Sequence, residues 1–142
     1  HFENSRLDIN EDAIEYLYKK FDGTTWYVQK ICNELFATAD ANHPCDITAV
    51  DAAISYVTNE KEDTFQDLMT RLTAKQKNLL IALAREGRNA RPTSEEFIKK
   101  YRLSSASAIQ RGVSALQEKD IITNENGKYF IYDYFLNDWL RA

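Results

Sequence analysis

Cysteine, proline, histidine and glycine are all scarce in this chain of 142 residues, which holds two Cys, two Pro, two His and four Gly. Two cysteines, Cys32 and Cys45, are too few for a disulfide scaffold, and Cys32 falls on an apolar helical face where a buried thiol is the ordinary reading. A reducing cytoplasm is the expected compartment. So little Gly and Pro leaves little room for an all-β fold built on tight turns and favours a mainly α class. No apolar run approaches the roughly 20 residues of a membrane-spanning helix, and the N-terminus lacks a signal-peptide pattern, so a soluble chain with no membrane partner is expected. No Gly-x-x-x-x-Gly-Lys-Ser/Thr phosphate loop, His-Glu-x-x-His or Gly-x-Ser-x-Gly occurs, and no catalytic residue is assigned. His43 and Cys45 stand beside Asp46, but a closed site of four N/S ligands would consume every His and Cys in the chain, so no metal is expected.

What the chain does have is apolar material: 44% hydrophobic and 12% aromatic residues, enough for real cores and against disorder. Its net charge of −4 is unevenly spread. Residues 1–72 carry 6 Lys+Arg against 14 Asp+Glu, and residues 73–142 carry 12 against 8. The balance moves from −8 to +4, which suggests a boundary near Leu72 and makes nucleic-acid contact more plausible for the second half.

The acidic half reads as a bundle of short amphipathic helices over residues 1–71. Asn10 is the expected cap of a helix with Ile14, Tyr18 and Phe21 inward, ended by Asp22-Gly23. A second helix starts at Thr25 with Val28, Ile31, Cys32, Leu35 and Phe36 on one face. After a polar loop through Asn42, His43 and Pro44, Thr48 is the expected cap of a third, with Asp51 completing a capping box and Val50, Ala53, Ile54 and Val57 inward. Phe65, Leu68, Met69 and Leu72 mark a short fourth. Trp26 and Tyr27 could stack on a ligand, although aromatics at a helix start more commonly pack on a core or its rim. Paired acids such as Glu11-Asp12 and Glu95-Glu96 sit at helix starts, where the dipole favours them.

Residues 72–142 have their turn signals in the order of a winged helix-turn-helix. Thr73 caps a helix with Leu79, Leu80, Leu83 and Ala84 inward, closed at Glu86-Gly87. Thr93 or Ser94 caps a shorter one carrying Phe97, Ile98 and Tyr101. Ser104 or Ser105 opens the third, held by Ile109, Val113 and Leu116, which leaves Ser105, Ser107, Ala108, Gln110, Arg111 and Ser114 as the reading arc. Two short alternating runs then flank Asn126-Gly127, a tight-turn signal, and form a β-hairpin wing. Tyr134, Phe135, Trp139 and Leu140 predict a closing helix.

A basic third helix would bind DNA strongly, through phosphate neutralisation and guanine readout. Here Arg111 stands alone on the arc, with Arg91, Lys99, Lys100, Arg102 and Lys128 as candidate phosphate contacts. Any binding of double-stranded DNA is therefore expected to be weak, and a polar, nearly neutral third helix would equally suit docking of a protein partner.

With both halves read, the chain resembles the C-terminal portion of AAA+ ATPases of the archaeal/bacterial group that end in a helical lid and a winged helix. Phe21-Asp-Gly-Thr-Thr-Trp-Tyr-Val-Gln is similar to the family's segment at the start of a lid helix. Leu72-Thr-Ala-Lys-Gln-Lys-Asn-Leu-Leu, Pro92-Thr-Ser-Glu-Glu-Phe, Leu103-Ser-Ser-Ala-Ser-Ala-Ile-Gln-Arg and Asp133-Tyr-Phe-Leu-Asn-Asp-Trp-Leu resemble its winged region and closing aromatic helix. The resemblance implies a noncatalytic C-terminal fragment that couples the nucleotide state of an absent phosphate-loop domain to DNA or protein. ATP and magnesium would belong to that domain alone. Gly23, Thr24 and Thr25 would be the nucleotide-proximal residues, offering helix-start amides to phosphate. The family's lid proline is Thr25 here, and no Arg or Lys occupies positions 22 to 29. A free-standing winged-helix regulator and a protein-interaction module are the alternatives, and no cofactor is expected for this segment itself.

Overall fold

Short amphipathic segments punctuated by caps dictate a chain of helices, and the computed structural model, which describes residues 9–38 and 45–142, has eight of them among the described residues. His43, Asn42 and Pro44 lie outside the described residues. The chain divides into two compact units, 1–60 and 61–142.

The first unit contains α1 (Glu11–Lys20), α2 (Thr25–Ala37) and α3 (Ile47–Glu60). Helix α3 packs against both of the others and buries Val50, Ala53, Ile54 and Val57, the stripe its spacing predicts. The phase of α1 differs from expectation. Ala13, Leu17 and Phe21 are buried, whereas Ile14 and Tyr18 are 40% and 52% exposed. Both stripes satisfy helical periodicity, and turning the small Ala13 inward lets α1 approach α3 more closely than an isoleucine would. In α2, Val28, Ile31 and Leu35 are buried, Cys32 is half-buried and Phe36 is exposed.

Two caps also differ. Asn10 occupies the cap position of α1, but its side chain makes no cap hydrogen bond; its main chain instead donates to the Cys45 carbonyl at 3.1 Å. The cap of α3 is Asp46, not Thr48, its carboxylate accepting from the Ala49 N–H at 2.9 Å. A charged acceptor at that position outcompetes a hydroxyl two residues on. Asp51, released from a capping role, accepts a hydrogen bond from the Tyr16 hydroxyl.

The second unit begins one helix upstream of Leu72, with α4 (Glu62–Thr70) followed by α5 (Ala74–Glu86), α6 (Glu95–Lys100), α7 (Ala106–Glu118), β1 (Ile122–Glu125), β2 (Lys128–Ile131) and α8 (Tyr134–Arg141). Helix α4 belongs here because Phe65 is buried with its ring 5.6 Å from that of Trp139 on α8. Helix α5 is the centre: Leu79, Leu80, Leu83 and Ala84 are essentially inaccessible, and it packs against α7, α8 and β2. The Thr73 hydroxyl accepts from the Gln76 N–H at 3.2 Å while the Gln76 side chain accepts from the Thr73 N–H at 3.0 Å, a complete capping box. Ser94 caps α6 and Ser105 caps α7, accepting from the Phe97 and Ala108 amides at 3.3 and 3.2 Å.

The hairpin pairs Ile122 with Ile131 and Glu125 with Lys128. Asn126 and Gly127 both have positive φ, 56° and 79°, as a two-residue turn of the primed type requires. On its other edge β2 meets Ala90, whose carbonyl accepts from the Tyr129 N–H at 2.9 Å. Helix-turn-helix followed by a hairpin of this kind is a winged helix, and the class is mainly α.

Candidate nucleic-acid interface

Helix α7, which precedes the wing, has two distinct sides. Ile109, Val113 and Leu116 are buried and fix α7 to the core; Ser107, Gln110, Arg111 and Ser114 are exposed, and no carboxylate appears on the helix before Glu118. Ser105 has a structural duty as the cap, and its hydroxyl lies 3.2 Å from that of Ser107. Ala108 and Gly112 are half-buried.

The candidate cations fall into three groups. Lys99 and Lys100 are engaged by acids: Lys99 meets Glu95 at 3.2 Å and Lys100 meets Glu86 at 2.8 Å. Glu86 also accepts from the Tyr101 hydroxyl at 2.7 Å. These hydrogen bonds, with Lys100 foremost, hold the Glu86 carboxyl below the usual range and raise Lys100 in turn. Tyr101 is raised first by burial and then by Glu86.

Lys128 belongs to the wing, and Arg91 lies beside it on the segment between α5 and α6. A β-carbon at Gly127 would stand 3.6 Å from Nη1 of Arg91, so this guanidinium sits beside the wing turn. Lys128 faces Glu125 across the hairpin.

Arg102 and Arg111 are brought together in one cleft of about 460 Å³. Arg102, two residues past the end of α6, has φ of +53°, a left-handed conformation that reverses the chain into the turn before α7. The cleft runs between the start of α5, that turn and α7, with Leu79 and Ile109 as apolar lining. Lys75 is its third cation, and sequence reasoning missed it. A lysine near a helix start reads as a solvated position, yet a cation in the first turn opposes the helix dipole, and that local conflict was the available signal. Arg88, one of the basic residues before the third helix but not among the candidate contacts, has its guanidinium carbon 3.8 Å from the Phe130 ring centre and 4.9 Å from that of Tyr134, which ties it to the wing and α8.

Gly23, Thr24 and Thr25 form the turn into α2. The Gly23 N–H donates to the Tyr18 carbonyl at 2.7 Å and that of Thr24 to the Phe21 carbonyl at 2.9 Å, so of the three only Thr25 stands at a helix start whose amide has no intrahelical acceptor. Tyr27 stacks on Phe21 with ring centres 5.3 Å apart, while Trp26 meets Tyr27 edge-on and is 58% exposed. Burial raises the thiols of Cys32 and Cys45, the latter also through Asp46. No described helix is long and apolar enough to cross a membrane.

Comparison with known proteins agrees with the fold. A family model described as a probable winged helix domain matches residues 63–142. The match starts at the first turn of α4, indicates no catalytic family and carries no indication of an ATPase origin. No curated protein and no solved structure matches the chain.

Proposed function

Because the chain belongs to the probable winged helix domain family, we propose that its 61–142 unit binds duplex DNA, with α7 facing the major groove and the wing alongside the backbone. The observation that carries this reading is the exposed arc of α7, where Arg111 stands among Ser107, Gln110 and Ser114 with no carboxylate for three turns. One cation and three neutral polar groups favour weak binding with little sequence preference, because direct readout depends on several well-placed bidentate contacts. The acidic first unit, rich in Asp and Glu, takes no part in phosphate contact.

Coupling to an ATPase core, which the sequence resemblance implies, would need phosphate at Gly23–Thr25. Two of the three amides there already donate within the turn, so the DNA reading has the stronger geometric support.

Fluorescence anisotropy of the full chain with a mixed-sequence duplex tests it. With about three to four phosphates neutralised, binding should weaken between about 50 and 200 mM salt with a log–log slope of about −3 to −4. Arg111→Gln should weaken it further. Absence of duplex binding at the lower salt would overturn the proposal in favour of a protein-docking surface, and tight selection of one sequence at the higher salt would overturn its low-specificity part.

A further inference from the structure

The geometry points to a phosphate-binding site in the cleft between the start of α5 and α7, with Lys75, Arg102 and Arg111 as its cations. This inference does not depend on whether the unit binds duplex DNA. Three elements each contribute one cation: the first turn of α5, and, further along the chain, the turn between α6 and α7 and the second turn of α7. No Asp or Glu lines the cleft. Among the described residues no carboxylate pairs with any of these three, in contrast to Lys99 and Lys100, which Glu95 and Glu86 engage. All three are exposed and so reach solvent-borne ligand without a conformational change.

The rest of the lining fits the same ligand chemistry. Two guanidiniums offer planar forks that grip tetrahedral oxyanions through paired N–H donors, and an ammonium supplies a point charge beside them. Asn78 and Ser104 add neutral donors, while Gln76 is committed to the capping box at Thr73. The position of Lys75 has a physical explanation on this reading. Its charge opposes the dipole of α5, and an anion in the cleft turns that local repulsion into attraction from both lysine and helix start. At about 460 Å³ the cleft has the capacity of a small-molecule site and exceeds the needs of one phosphate group. Phosphate can arrive on the backbone of DNA or on a free polyphosphate-bearing molecule, and the recognition chemistry is shared.

Calorimetric titration of the full chain with inorganic tripolyphosphate, and separately with a short duplex, tests the site at low salt, where exposed charges are least screened. The substitutions are Lys75→Gln, Arg102→Gly and Arg111→Gln, singly and combined; glycine is chosen at Arg102 because the backbone there has positive φ. Tripolyphosphate affinity should fall at least about tenfold in the combined variant, given the strength of charge-assisted hydrogen bonds, and by a measurable part in each single one. A Lys30→Gln/Arg141→Gln control should bind like the parent chain. The singles keep the test decisive should the combined variant fail to fold. Duplex binding alone, lost in the same variants, supports the site with the DNA backbone as its source. Tripolyphosphate binding alone, lost likewise, supports the site and sinks the DNA reading. Affinities unchanged in these variants, or no binding of either probe, overturn the inference.

Discussion

A β-carbon placed on Gly112 would stand 3.0 Å from Cδ2 of Leu79, so α7 crosses α5 at a close contact where a larger residue requires Leu79 to give by a few tenths of an ångström. Leu79 is 1% exposed and cannot swing aside into solvent. Overpacking of this kind typically costs about 1–3 kcal/mol, so Gly112→Val should lower stability by that amount in denaturant unfolding. Combining it with Leu79→Ala should recover part of the loss, with a coupling of at least about 0.5 kcal/mol, because the two residues share one space. Strict additivity in the double variant would show that the crossing is looser than described.

Truncation of the winged core should be costlier. Leu83, Val113 and Leu116 are fully buried. Leu83→Ala and Leu116→Ala should destabilise by about 2–5 kcal/mol, with Val113→Ala near the low end because fewer methyl groups are lost. Thermal melts indistinguishable from the parent would place these side chains elsewhere.

Arg88 offers a contrast with the cleft arginines. Stacked on Phe130 and Tyr134, it should act through packing. Arg88→Ala should cost about 1 kcal/mol in stability yet leave the salt slope of duplex binding unchanged. A slope flattened by a full unit would assign Arg88 to phosphate instead.

Lys99 and Lys100 are already engaged by acids, so replacing both with Gln should flatten the salt slope by less than about one unit. A loss of two units in the same titration would mean both pairs open on binding.

The Glu86 cluster predicts a modest pH dependence. Its carboxyl is held low by Lys100 and Tyr101, so the folded state gains stability above the ordinary glutamate range and loses it as pH falls through the lowered value. For Tyr101, raised by burial and by Glu86, the contribution is present below the ordinary tyrosine value and fades as pH climbs through the raised one. Glu86→Gln should flatten the acid limb of a stability–pH curve, by well under about 1 kcal/mol since Lys100 lies at the surface. An unchanged acid limb would show that the pair contributes nothing measurable.

Local signals made most of the winged unit legible in advance. Thr73, the serines before α6 and α7, and Asn126-Gly127 each act on their own neighbours, through a cap or a turn whose physics is complete within four residues. Where two caps were possible, at Thr93 or Ser94 and at Ser104 or Ser105, the choice depended on a single hydrogen bond that spacing does not reveal. Residues whose roles come from distant partners were harder. Arg88 lies some forty residues from the rings it stacks on, and Lys75 is joined to Arg102 and Arg111 only by the approach of α5 to α7.

The sequence by itself determined the helical class, the order of elements, the hairpin turn and the buried stripes of α3, α5 and α7, because periodicity and caps are properties of neighbouring residues. Tertiary structure decided which of two acceptable stripes α1 turns inward, since Ala13 and Ile14 fit a helix equally and differ only in how closely another helix can approach. It also decided which cations are engaged by carboxylates and which share a cleft. Charge in a sequence is a count, whereas its effect depends on distances of a few ångströms that only the packing of α5, α6 and α7 sets.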